Sequence, residues 1–192
     1  NVTGTLPAIT AANLTNIPAA NIVGVATAGF ARSGGFGGIT DADVWRLSTD
    51  VGGNSSGETL TSWERADDSV ATYIGDGMSH SSGVFTFPST GKWLVIFLGH
   101  YLLVQNDNVV VITKVTINNS AYNAIATAKD GNSASNSTSG SATSFSFIDV
   151  TDTSNVKVHF YATSIASGSQ VDGYNSGNGI QTTALFLRLG DT

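Results

Sequence analysis

From about Asp41 the chain breaks into short apolar or alternating runs divided by polar turns. Val44 to Leu47 opens the series, and Val70 to Ile74 follows. In Gly83 to Phe87, alternation sets Val84, Thr86 and Pro88 against Phe85 and Phe87. Trp93 to Val104 is apolar on nearly every position, the pattern of a strand covered on both faces or lying in an oligomer interface. Val109 to Ile117 comes next, with Asp107-Asn108 as the expected turn, and Lys129 to Thr143 reads as a Ser/Asn/Gly loop without an apolar anchor. Ser144 to Val150 alternates, with Phe145, Phe147 and Asp149 opposed to Ser146, Ile148 and Val150. Val156, Val158, Phe160 and Ala162 oppose Lys157, His159, Tyr161 and Thr163 in the cleanest alternation of the chain. A polar loop from Gly168 to Gly179 precedes a closing strand from Thr182 to Leu189. No long 3.6-residue period occurs, so the pattern predicts an all-β fold, a β-sandwich or jelly roll.

The first part of the chain follows a different rule. Leu6, Ile9, Leu14, Ile17 and Ile22 recur at spacings of three, five, three and five, separated largely by Asn and Ala. Pro7 and Pro18 push Leu6 and Ile17 towards extended geometry, which argues against a helix. Such a stripe is too thin to bury itself in one copy, whereas several copies wound about one axis would bury it. Residues 1–28 are therefore expected to form an extended trimeric stalk, the alternative being an Ala-rich linker. Residues 29–40, containing GFARSGGFGG, are expected to be a hinge, and 41–192 a single head. The glycine-dense hinge matches neither a dinucleotide fingerprint nor a Walker A loop.

The doubly apolar run from Trp93 to Val104 points to the same symmetry. One parity carries Trp93, Val95, Phe97 and Tyr101; the other carries Leu94, Ile96, Leu98 and Leu102. One set fills the sandwich and the other meets neighbouring copies, where burial contributes roughly 25 cal/mol per Å² before entropy is charged. Trp93, Val95, Phe97 and Tyr101, with Tyr161 beside them, are taken as the head's share of the interface. Leu6, Ile9, Leu14, Ile17 and Ile22 are taken as the stalk's share.

Charge changes the picture mainly by exclusion. The 192 residues carry 14 acidic and 8 basic side chains, a net charge of −6, and the basic ones are scattered singly. A nucleic-acid partner is opposed by that field. Only 11% of residues are charged, so the surface is wetted by hydroxyls and amides, as in extracellular, fibrous or viral structural proteins. The absence of cysteine excludes disulfides and thiolate chemistry. The longest apolar run is too short to insert in a membrane as a helix.

Candidate chemistry is sparse. His80, His100 and His159 are the three histidines, and none is accompanied by a recognisable oriented acid and oxyanion donor. Glu58 and Glu64 are read as solvated rather than as a sugar-cleaving pair. Asp67, Asp68 and Asp76, Asp41 with Asp43, and Asp130-Gly131-Asn132 offer oxygen ligands of the kind calcium takes, without a full calcium loop. No other cofactor is expected. Tyr122, Asn123, Tyr174, Asn175 and Asn178 provide stacking and hydrogen-bonding groups on loops suited to a host-surface receptor such as a glycan. The competing reading makes them plain soluble turns.

Gly83-Val84-Phe85-Thr86-Phe87-Pro88-Ser89-Thr90-Gly91-Lys92-Trp93 resembles the signature of C1q/TNF-like domains, with Lys92-Trp93 a slight departure. Phe145 to Tyr161 and Thr183 to Leu189 look like the last strands of that fold, so the resemblance spans roughly residues 41 to 190. It implies a ten-stranded jelly roll and a compact homotrimer. Leu14-Thr15-Asn16-Ile17-Pro18-Ala19-Ala20-Asn21-Ile22-Val23-Gly24 resembles a repeated segment of bacteriophage tail-fibre proteins, where it precedes a receptor-binding or trimerising tip. Together these imply a non-enzymatic, homotrimeric viral fibre protein, located on the virion and extracellular. The stalk end would attach to other virion proteins and the head would meet the host surface. The alternative is a virion structural protein, such as a head fibre, capsid decoration or connector, without receptor binding.

Overall fold

The structure, a computed structural model, describes residues 38–53, 56–65, 72–174 and 179–192. The chain divides between Gly35 and Phe36, and the described residues lie in the second unit. Its strands are β1 (Ala42–Leu47), β2 (Val51–Gly52), β3 (Glu58–Thr59), β4 (Trp63–Glu64), β5 (Ser79–Ser81), β6 (Val84–Thr86) and β7 (Gly91–Leu103). They continue with β8 (Asp107–Thr116), β9 (Asn123–Asn132), β10 (Thr138–Val150), β11 (Lys157–Thr163), β12 (Gln170–Val171) and β13 (Thr183–Gly190). All pairings are antiparallel. One sheet has the order β2-β12-β7-β13-β1-β4, with β10 on the other edge of β7; the second has β5-β6-β11-β8-β9, with β3 also on β11. The expected all-β sandwich is therefore present.

Turn chemistry explains the connections. Ser82 and Gly83 both take positive φ, 49° and 80°, between the paired residues Ser81 and Val84. That is the two-residue hairpin geometry whose twist matches the flanking strands. Gly83 has a second reason to lack a side chain, because a Cβ there would overlap the Leu60 carbonyl. Asn106, at φ 56°, closes the β7–β8 turn, so the bend falls before the expected Asp107-Asn108, which instead begin β8. The Ser/Asn/Gly segment also differs from expectation. β9 runs on to Asn132 and β10 starts at Thr138, so most of that segment is strand. Ladder hydrogen bonds hold its small polar residues, and the buried Asn132 amide ties it down by donating to the Leu103, Val104 and Asn136 carbonyls.

The inward parities meet in one core. Trp93, Val95, Phe97, Tyr101 and Leu103 of β7, with Phe186 of the neighbouring β13, face Val109, Val111 and Phe160 of the second sheet, all 0–1% exposed. Aromatic rings form its centre: Phe97 and Phe160 lie 5.0 Å apart, Phe85 and Phe186 4.9 Å, and Trp63 and Phe85 5.6 Å. This corrects the assignment of Trp93, Val95, Phe97 and Tyr101 to a trimer interface. The protomer's own second sheet covers them, leaving no surface for a neighbour. Gly99 belongs to the same packing, since a Cβ would run into the Tyr101 ring.

A polar clamp stands at the end of this core. Asp43, 2% exposed, accepts from Trp45 Nε1 at 2.9 Å, Arg65 Nε at 3.0 Å, Arg65 Nη2 at 2.7 Å and the Met78 amide at 2.7 Å. Arg65 also stacks over the Trp45 ring at 4.3 Å. Removing the carboxylate leaves the buried Trp45 and Met78 N–H groups without their acceptor, while the partly exposed Arg65 keeps the Met78 carbonyl at 2.8 Å. Asp43→Ala should cost about 3 kcal/mol, read as a lowered midpoint in urea unfolding, because each buried donor left unsatisfied costs about 1–3 kcal/mol.

Candidate functional site

Two outward faces carry the side chains that the core does not use. The first belongs to the seven-stranded sheet. Directly opposed residues share a face, so the register aligns Val44, Leu185, Ile96 and Phe145 in one row, and Ala42, Leu187, Leu94 and Phe147 in the next. Phe145 and Phe147 are 66% and 70% exposed, and Val44 and Leu189 contribute further apolar surface. Leu98, His100 and Leu102 extend the same parity along β7, half-buried. The outward parity of β7 is thus Leu94, Ile96, Leu98 and Leu102, opposite to the set first assigned to the interface.

The second face belongs to the six-stranded sheet. His159 and Tyr161 project from β11, and Lys114 from β8 sits opposite His159. Tyr122, just before β9, stacks on His159 with centroids 4.4 Å apart and planes within 9°. Lys114 Nζ lies 3.6 Å from the Tyr161 ring centroid, a cation–π contact. Tyr161 is held further by its hydroxyl, which donates to the Ser56 carbonyl at 3.1 Å. Gly57 beside it leaves room for the ring, since a Cβ would overlap it. His159 Nε2 is buried without a hydrogen-bond partner. Burial, and then the Lys114 charge, lower the His159 pKa from 6.5 to about 4, so the ring is neutral at neutral pH. Burial also raises the Tyr122 pKa.

The candidate receptor residues are separated by this arrangement. Tyr122 joins the stack and Asn123 begins β9, exposed. Tyr174 follows β12 of the other sheet; its amide donates to the Leu47 carbonyl at 2.8 Å and its ring lies against Gly179. Tyr161 points away from the apolar face of the seven-stranded sheet, which removes it from the expected interface. Leu6, Ile9, Leu14, Ile17 and Ile22, together with Asp67, Asp68, Asn175 and Asn178, lie outside the described residues. His159 and Lys114 were not singled out from sequence, although their place in an alternating run marked them as outward.

The acidic groups are mostly engaged. Asp43 is neutralised by Arg65, which corrects its reading as a calcium ligand. Asp41 accepts from Thr40 Oγ1 at 3.1 Å and Ser89 Oγ at 3.3 Å. Glu64 pairs with the buried Arg46 at 2.8 Å rather than standing in solvent. Asp76 is exposed, and among the described residues no group of three His, Asp or Glu side chains is placed to hold a metal. His80 is a packing residue: its ring meets Trp45 at 4.9 Å, and Nε2 lies 3.0 Å from the Trp63 carbonyl.

The depressed His159 pKa has a defined consequence. Unfolded chains take up this proton near pH 6.5, folded ones near pH 4. The stabilisation from a neutral His159 is therefore complete above about 6.5 and lost as pH falls towards 4. Melting temperature should drop across that window, and His159→Gln should flatten that part of the drop in a pH series of thermal melts.

No family model and no curated protein sequence matches the chain. Solved structures do. Eiger TNF from S. frugiperda is similar with a TM-score of 0.59 at 14% identity, covering 79% of this chain and 93% of that one. Murine APRIL at pH 5.0 gives a TM-score of 0.58 at 9% identity, covering 78% and 98%. Murine APRIL at pH 8.5 gives 0.56 at 9% identity over the same shares. The described residues form a TNF-like jelly roll.

Proposed function

We propose that this chain is the protomer of a non-enzymatic, homotrimeric bacteriophage fibre protein whose jelly-roll head holds three copies together and meets the host surface. The observation that carries the assembly is the apolar sheet face on which Phe145 and Phe147, 66% and 70% exposed, stand beside Leu94 and Ile96. A patch of this kind in water favours association, and a closed ring satisfies it equally on every copy. The C1q/TNF-like form of the head implies three copies, and the regular stripe Leu6 to Ile22 calls for the same symmetry. The tail-fibre-like segment supports a place on the virion, with the stalk end towards other virion proteins. The second reading, a head fibre, decoration or connector without receptor binding, is favoured by the few charged or aromatic clusters on the loops.

Native mass measurement of the intact chain should give three times the protomer mass. Phe145→Asp with Phe147→Asp should yield folded monomers, since both rings lie outside the protomer core. A monomeric parent protein, or an undisturbed trimer in the double variant, would sink the assembly proposal. For the wider role, the intact trimer should bind host envelopes in a pull-down. Retention on purified virions without envelope binding would favour the structural reading.

A further inference from the structure

The outward face of the six-stranded sheet is polarised in charge. By register, its outward positions include Lys114, Lys129 and Lys157, with His159 and Tyr161 between them. The carboxylates of these strands fall on the other parity: Glu58 pairs with Ala162, Asp107 with Asn132 and Asp130 with Val109. The acidic residue nearest to β11 in sequence, Asp152, is exposed in the turn before that strand and accepts from Ser154 and Asn155. In a chain of net charge −6, a face with three lysines and, among the described residues of its strands, no outward carboxylate is a local reversal of sign.

The aromatic part of the same face is fixed in place. Tyr161 is tethered to Ser56 and covered by Lys114, while Tyr122 lies flat on His159. Ring faces carry negative charge and attract the C–H faces of a pyranose, and an ammonium beside them selects an anionic substituent. His159 cannot supply that charge, because its pKa near 4 leaves it neutral at pH 7. Lys114 is the cation in contact with the ring stack.

We infer that the Tyr122–His159–Tyr161 stack with Lys114 is a binding site for an acidic saccharide, a sugar ring bearing a carboxylate or a sulfate. This inference rests on the host-recognition part of the proposed function and names its ligand class. The site is on the sheet opposite to the apolar assembly face, so trimerisation through that face leaves it accessible. Three weak sites per particle then gain from effective concentration on a glycosylated surface. Single-stranded nucleic acid uses similar groups, but three dispersed lysines on an acidic protein make a poor backbone track.

Isothermal titration of the intact protein would compare sialyllactose as carboxylate probe, a heparin hexasaccharide as sulfate probe, lactose as neutral control and an oligo-dT control. Binding to at least one anionic saccharide is expected, with the two anionic arms identifying which group is read. Lys114→Gln should weaken it about tenfold, as expected for loss of one charge-assisted contact, and Tyr161→Ala by a similar factor, with Lys114→Arg retaining most of it. Thermal melts and native mass of each variant separate lost binding from lost folding or assembly. An intact trimer that binds neither anionic probe overturns the site and leaves the assembly proposal standing. Equal binding of lactose, tighter binding of oligo-dT, or indifference to Lys114→Gln overturns it as well.

Discussion

A thirteen-residue strand that is apolar on both parities needs cover on both faces, and β7 meets that need in two ways. Trp93, Val95, Phe97 and Tyr101 go inward under the second sheet, where tilted and edge-to-face ring pairs cluster around Phe85 and Phe160. Leu94, Ile96, Leu98 and Leu102 go outward, and neighbouring strands extend Leu94 and Ile96 into an apolar patch, while Leu98 and Leu102 are flanked by Thr143, Thr183, Ser139 and Gln170. The hydrophobic effect has no preference between the two sides. What separates them is that one cover is supplied within the protomer, while the other side leaves Phe145 and Phe147 largely in solvent.

The two sheets consequently differ on their outer sides. The seven-stranded sheet offers leucine, isoleucine and phenylalanine, whereas the six-stranded one sets lysine, tyrosine, histidine and threonine beside the partly buried Val110 and Ile112. An assembly that uses the first face presents the second to its surroundings. Charge within the protomer is arranged to permit this: Asp43 and Arg65 neutralise one another, and the buried Arg46 is met by Glu64. Desolvated ions are thereby paired, and the lysines outside remain on the solvent side.

Much of this was legible in the residue pattern. Period-two alternation located β10, β11 and β13, because each has one wet face and one dry one. The doubly apolar run marked β7 as special, yet its parity could not be assigned, since both sides carry large side chains of equal hydrophobicity. Register decided it: Phe145 and Phe147 pair with Ile96 and Leu94, and that long-range fact has no local signature. The short strands β2, β3, β4 and β12 were missed for a related reason, being two residues each and defined by their partners alone. The Ser/Asn-rich stretch misled because composition was read as a loop, whereas β7 and β8 supply hydrogen bonds to both halves of it. His159 and Lys114 were visible as outward residues, but only the pairing of β8 with β11 places them beside one another.

The partners of β7 also set a timetable. Its ladders are made with β10, β12 and β13, all from later in the chain. Until the last of these leaves the ribosome, the most apolar strand of the protein has an unsatisfied edge and nothing local to shield it. Folding of the head is therefore deferred until β13 has been made, and it is governed by contacts of long sequence separation, which are slow to form. During that interval the nascent polypeptide is vulnerable to wrong pairings with other chains, and holding factors would matter most there.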